Sequence, residues 1–292
     1  MDRITKGKTV KLHRREFLKA LGHVMLGSVL SSLGAYKYAT LLEPNWLDIE
    51  QVTVPIKGLP TSMEGFRIVQ LSDIHHDPGT QIDRVKRAVA EANDMHPDLI
   101  VLTGDYVSAG ADSIYELNPV LSNLNAKHGV FSILGNHDLW TNASIVRAGL
   151  EEVGIPVLKN SGISLSVGRD MIFLAGLDDG WSGQPDLNRA LQNLSPGIPT
   201  ILLMHEPDFA DIFSKDKRVS LQLSGHTHGG QVRIPGLGAI VLPDYGKKYD
   251  QGLYRVNDMW LYTNRGIGVI WPAVRFNCRP EITEITLVGD EI

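Results

Sequence analysis

Five short polar motifs rich in His, Asp or Asn follow one another along this chain. They are Asp73-Ile74-His75, Gly104-Asp105, Gly135-Asn136-His137-Asp138, His205 and Gly225-His226-Thr227-His228. Four of them directly follow apolar, strand-like runs: Phe66 to Leu71, Leu99 to Thr103, Val130 to Leu134 and Ile201 to Met204. A strand that ends in a polar loop aims those side chains from the sheet edge into a shared cleft. One such motif would carry little weight. Five motifs with the same chemistry, four of them at strand ends, require a sheet-based fold that gathers them.

The pattern between the motifs agrees. Ile82, Val85, Ala88, Val89 and Ala92 form a helical stripe between the first two motif-bearing strands. Helices are expected near 113–125, 144–153, 187–194 and after Asp208. Further strands are expected near 51–56, 164–167, 171–177, 219–223, 253–256, 260–263 and 282–287. Strands alternating with helices, then strands alone, indicate an α/β fold with mixed sheets in one domain. There is no internal repeat and no low-complexity linker.

Charge is unevenly placed. Residues 1–43 hold eight Lys or Arg against three acids, whereas the remainder holds 20 bases and 30 acids. An acidic body repels polyanions, so no nucleic-acid partner is expected. Cys278 is the only cysteine, which excludes an intrachain disulfide. The leader is basic up to Lys19, contains Arg14-Arg15-Glu16-Phe17-Leu18-Lys19, and continues as a weakly apolar stretch from Ala20 to about Leu42. Paired arginines ahead of Phe-Leu resemble a twin-arginine export signal. Residues 1–43 are therefore read as that signal or as a retained N-terminal anchor, and residues 44–292 as the folded body. The expected location is the periplasm, cell wall or outer face of the cytoplasmic membrane, reached through the twin-arginine export machinery. That route carries folded proteins, which suits a chain that acquires metal as it folds.

Imidazole nitrogens and carboxylate oxygens suit zinc, manganese or iron. Asp73 and His75 can reach one ion from a single loop. His226 and His228 can share an ion or serve two, Asp105 can bridge through both oxygens, and Asn136 offers a weak amide oxygen. The order and types of these motifs over residues 66–234 resemble the calcineurin-like metallophosphoesterase superfamily. That resemblance implies a four-layer α-β-β-α sandwich, two mixed β-sheets flanked by helices, with a dinuclear metal site at the strand ends. It also implies two divalent ions, one held by Asp73, His75, Asp105 and His228, the other by Asp105, Asn136, His205 and His226. His137 becomes the catalytic histidine that is not a ligand, acting as acid or charge stabiliser, and Asp138 the residue that orients its ring. The implied reaction is hydrolysis of a phosphodiester or pyrophosphate bond by a metal-bridging hydroxide.

Departures from two subfamilies narrow the choice. Asp105 is followed by Tyr106-Val107-Ser108-Ala109, without the Asp-Arg pair of protein phosphatases and without the tyrosine ligand of purple acid phosphatases. The Gly-His-Thr-His-Gly-Gly-Gln run and Arg275-Phe276-Asn277-Cys278-Arg279-Pro280-Glu281 look like the twin-arginine-exported phosphodiesterases of bacteria. Those are related to UDP-diacylglucosamine pyrophosphatases, so a small-molecule or lipid-linked phosphoester and membrane association are implied. A non-catalytic metal-binding scaffold would be expected to have lost ligands or His137, and neither is lost. Elsewhere, bland roles are expected. Trp140, Trp181 and Trp271 are assigned to core packing, and Arg233, Arg275 and Arg279 to surface charge. His76 and Asp77 are assigned to a solvated loop, and Gly229-Gly230 to a tight turn. His13, His23, His96 and His128 are given structural roles.

Overall fold

The computed structural model describes residues 14–76 and 80–290. Asp77 and the leader through His13 lie outside the described residues. In chain order the elements are α1 (Arg14–Lys37), β1 (Asp48–Ile56), β2 (Phe66–Leu71), α2 (Ile82–Asp94), β3 (Leu99–Leu102), α3 (Ile114–Leu121), β4 (Val130–Ser132), α4 (Asn136–Glu152), β5 (Ser161–Val167) and β6 (Asp170–Gly176). There follow α5 (Leu187–Ala190), β7 (Thr200–Leu203), α6 (Ala210–Phe213), β8 (Leu221–Ser224), β9 (Arg233–Ile234), β10 (Gly238–Ala239), β11 (Gly252–Val256), β12 (Met259–Thr263) and β13 (Glu281–Gly289).

Two mixed sheets carry the fold, in the orders β1-β13-β2-β3-β4 and β11-β12-β8-β7-β6-β5. β2, β3 and β4 run parallel, as do β7 and β8, so every predicted site loop leaves a strand at its C-terminal end. Strand residues alternate between faces, and both faces are apolar. Ile68, Leu99 and Val101 meet Leu174, Leu203 and Leu223 between the sheets. Val69, Ile100 and Leu102 face the other way, onto Val85 and Val89 of α2 and Val146 and Leu150 of α4. Phe173 and Leu202 pack outward on Ala190, Ala210 and Phe213. The result is the expected α-β-β-α sandwich, with each buried aliphatic side chain contributing about 1.5–3 kcal/mol.

The structure adjusts two boundaries. α4 begins at Asn136, inside the third motif, and breaks at Asn142 (φ −167°), whose Oδ1 accepts the Ser144 and Ile145 amides. Only the part after that break carries the apolar stripe that marks a helix over 144–153. The expected division after residue 43 falls within a packed segment. Glu43 is buried and accepts the Cys278 amide, Ala39 O accepts the Arg275 amide, and Tyr38 meets Phe276 edge-on at 6.3 Å. By contrast α1 itself has no buried residue.

Candidate metal centre

At the strand ends the backbone does unusual work. Asp73, His75, Asp105, His226 and His228 all hold left-handed conformations, with φ between 46° and 73°. Asp, Asn and His tolerate this region better than most residues, and each such turn redirects its side chain away from the strand axis. Glycines let the loops close up. A Cβ on Gly104 (φ +97°) would lie 2.6 Å from Gly135 N, and one on Gly225 would collide with Ser72 Oγ and Asp73 Oδ2.

Three overlapping groups result, with donor atoms within 4.8 Å of one another: Asp73, His75 and His228; His75, Asp105 and His137; Asp105, His205 and His226. Asp105 Oδ2 sits at the join, 3.3 Å from His75 Nε2 and 3.2 Å from His205 Nε2. His228 Nε2 is 3.4 Å from Asp73 Oδ1. All seven predicted ligands are buried, whereas His137 is half-buried. Both His75 nitrogens, His205 Nε2 and Asn136 Oδ1 are buried with no hydrogen-bond partner. Buried polar groups are rarely left so. A nitrogen-and-oxygen donor set with orphaned lone pairs fits borderline or hard divalent cations.

Outer contacts orient the candidate ligands, as metal-binding imidazoles require. His205 Nδ1 donates to the Thr103 carbonyl at 2.6 Å, and His226 Nε2 to the Asp244 carbonyl at 2.8 Å. Asp73 accepts the His226 amide and Ser72 Oγ–H. A buried chain from Gln70 through Thr103 to Ser72 then ties β2, β3 and the Asp73 loop together.

Electrostatics divides the histidines. Burial lowers the pKa of His226 to about 3, and burial with the neighbouring His75 and Arg275 charges lowers that of His228 well below the ordinary value. Both are thus neutral and free to ligate. Burial also opposes the His205 imidazolium, but the Asp105 carboxylate outweighs it and holds that pKa well above the usual value. Asp105 is likewise penalised by burial, yet His205 and His75 hold its carboxyl well below the carboxylate range.

Asp138 departs from expectation. Its oxygens accept the amides of Asp105 (2.8 Å), Tyr106 (2.9 Å), Gly135 (3.0 Å) and Val107 (3.4 Å), which leaves the His137 ring without it. It pins the second motif to the third. Burial and the Asp105 charge push its carboxyl up to about 7, against the pull of those amides.

A pocket of about 510 Å³ opens over the cluster, lined by Asp105, Asn136, His137, His226 and His228 on its polar side. Trp140 and Trp181 wall it, 51% and 38% exposed, and Trp271 stands at its edge, so none of the three packs in the core. An aromatic row runs from His137 through Trp140 and Trp181 to His226, with centroid separations of 4.8, 5.1 and 5.7 Å. Glu206 positions it by accepting the Gly180 and Trp181 amides. Its place directly after His205 is the only trace of this in the sequence.

Arg275 is fully buried rather than superficial. It donates to the carbonyls of Arg265, Gly266, Gly268 and Cys278 behind His228. Arg233 is half-buried and paired with Asp250 at 2.6 Å, and the Arg279 guanidinium stacks on Trp46. His76 is buried between the Thr80 carbonyl and Glu116 rather than solvated. Gly229 and Gly230, at φ +57° and +78°, make the expected turn.

Comparison with known proteins agrees with this geometry. The model for the calcineurin-like phosphoesterase family matches residues 66–230. The chain is 38% identical to the uncharacterized metallophosphoesterase YkuE of Bacillus subtilis, over 95% of this chain and 98% of that one. It is 30% identical to the phosphodiesterase YaeI of Escherichia coli, over 95% and 100%. It is 28% identical to the UDP-2,3-diacylglucosamine pyrophosphatase LpxG of Chlamydia muridarum, over 84% and 90%. The chain belongs to the calcineurin-like phosphoesterase family.

Proposed function

We propose that this protein hydrolyses a phosphodiester or pyrophosphate bond at the Asp105 cluster, with divalent cations held by the buried residues. The observation that carries this is Asp105 Oδ2 lying between His75 and His205 while the half-buried His137 faces the pocket. Asp73, His75, Asp105 and His228 would hold one ion, and Asp105, Asn136, His205 and His226 a second; manganese, zinc or iron suits these donors. Bound there, the ions would supply Lewis acidity toward phosphoryl oxygens and lower the pKa of water.

The chain's own residues do the rest. His137, outside the ligand set, holds a proton for the leaving oxygen or stabilises charge on the phosphoryl group, help worth about 10²–10⁴ in rate. Asp138 fixes the loops on either side of it. Trp140 and Trp181 screen one flank from water. The opposite flank, with Val232, Ile240, Val241, Ile270 and Val274, is apolar. That flank favours a second reading, a lipid-linked pyrophosphate, in line with the printed activity of LpxG. Export by the twin-arginine route, to the periplasm, cell wall or outer membrane face, completes the proposal.

Metal-stripped protein reconstituted separately with manganese, zinc and iron tests it. At least one metal should restore hydrolysis of bis-p-nitrophenyl phosphate; no turnover with any of them contradicts the reading.

A further inference from the structure

Beside the mouth of the pocket, which Ile240, Val241 and Trp271 line, the surface carries an exposed apolar rim. Leu237 is 81% exposed, Val241 73% and Trp271 91%, with Ile234, Ile240 and Phe276 also open. Single exposed apolar side chains are ordinary, but a contiguous group around a cleft marks a contact surface. These residues are contiguous through the backbone. Ile234 belongs to the β9–β10 hairpin, whose Arg233 amide donates to the Phe276 carbonyl, and Gln231 donates to the carbonyls of Ile270 and Pro272 in the Trp271 loop.

The same group is continuous with the N-terminal helix. Phe276 meets Tyr38, one residue beyond α1, and the Arg275 amide donates to Ala39. Arg14 to Asn45 is long and apolar enough to cross a membrane, and α1 has no buried residue. From Ala20 to Tyr36 it carries no Asp, Glu, Lys or Arg. That stretch spans roughly 26 Å, close to the hydrocarbon thickness of a bilayer. Arg14, Arg15 and Lys19 lie at its start, and Tyr36 and Tyr38 at its end, where aromatic residues favour the membrane interface.

We propose that the rim of the pocket rests on a lipid bilayer, with Leu237, Val241 and Trp271 in its interfacial layer and α1 spanning it. The short packed junction at residues 38–46 leaves the helix end beside the rim, so a spanning α1 brings both to one surface. The apolar flank of the pocket then continues into the membrane. This rests on α1 being retained in the membrane and is independent of the reaction assigned to the site.

Cys278 is buried, so an introduced surface cysteine can be labelled selectively. The full-length Leu237→Cys protein, labelled with pyrene, is reconstituted into phosphatidylcholine–phosphatidylglycerol vesicles with and without brominated phosphatidylcholine. Lys217→Cys, at the opposite end of β8, is the control. The expected result is several-fold quenching of monomer emission at position 237 by the brominated lipid and none at 217. Equal emission with and without bromine at 237 overturns the proposal. Excimer emission at 237 without quenching assigns the rim to a second copy of this chain and overturns it too, as does failure of the protein to float with the vesicles. Hydrolysis of bis-p-nitrophenyl phosphate, measured on the same samples, reports on the active site separately.

Discussion

Five of the seven candidate ligands hold left-handed backbone at a cost on the order of 1–3 kcal/mol each. The fold supports them with directed hydrogen bonds rather than with bulk packing. The His75 amide donates to the Asp105 carbonyl, the Asp73 amide to Gly104, and the Asp105 amide to Asp138. Asp138 is the strongest single tie, because four amides converge on it. Asp138→Asn puts an NH₂ where N–H groups already point, so it should lower stability by about 1–3 kcal/mol. Thermal unfolding reads that loss, and an unchanged midpoint would deny Asp138 its tie. The candidate ligand types stood out in the sequence because, in four of the five motifs, Asp, Asn and His stand directly after apolar runs. The task of Asp138 was not, since nothing in Asn-His-Asp says which neighbours its carboxylate meets. Arg275 and the three tryptophans escaped for a related reason. Burial of Arg275 rests on carbonyls of the preceding loop at 265–268, folded back over its guanidinium, and the exposure of Trp140, Trp181 and Trp271 depends on where the cleft opens.

Parallel strands order the site at the level of elements. β2, β3 and β4 present one set of loops and β7 and β8 the other, and the two sets meet because the sheets pack face to face through Ile68, Val101, Leu203 and Leu223. The apolar runs made these strands visible, but the run over 130–134 hides where β4 stops and α4 starts. Between the sheet ends Gly225 leaves no room for a Cβ, which would collide with Ser72 and Asp73. Gly225→Ala should force β8 and β2 apart locally, with metal content below that of the parent and far-UV circular dichroism unchanged. Full metal content in that variant would mean the loops have slack that the geometry denies them.

For the whole molecule, the buried cluster and the half-open His137 belong to a metal-dependent phosphoester hydrolase, and the spanning-length α1 supports the proposal that it works at or beyond a membrane. Arg14→Lys with Arg15→Lys should leave the protein inside the cell on fractionation; unchanged export would sink the twin-arginine proposal. In the proposed site seven buried residues hold two ions while His137 stands apart from them, although its ring comes as close to His75 and Asp105 as a ligand would. Metal content and turnover measured together on His137→Ala test this most directly. The expected result is two ions per chain, as in the parent, with kcat lower by about 10²–10⁴. Loss of an ion from that variant, or turnover equal to the parent's, would contradict it.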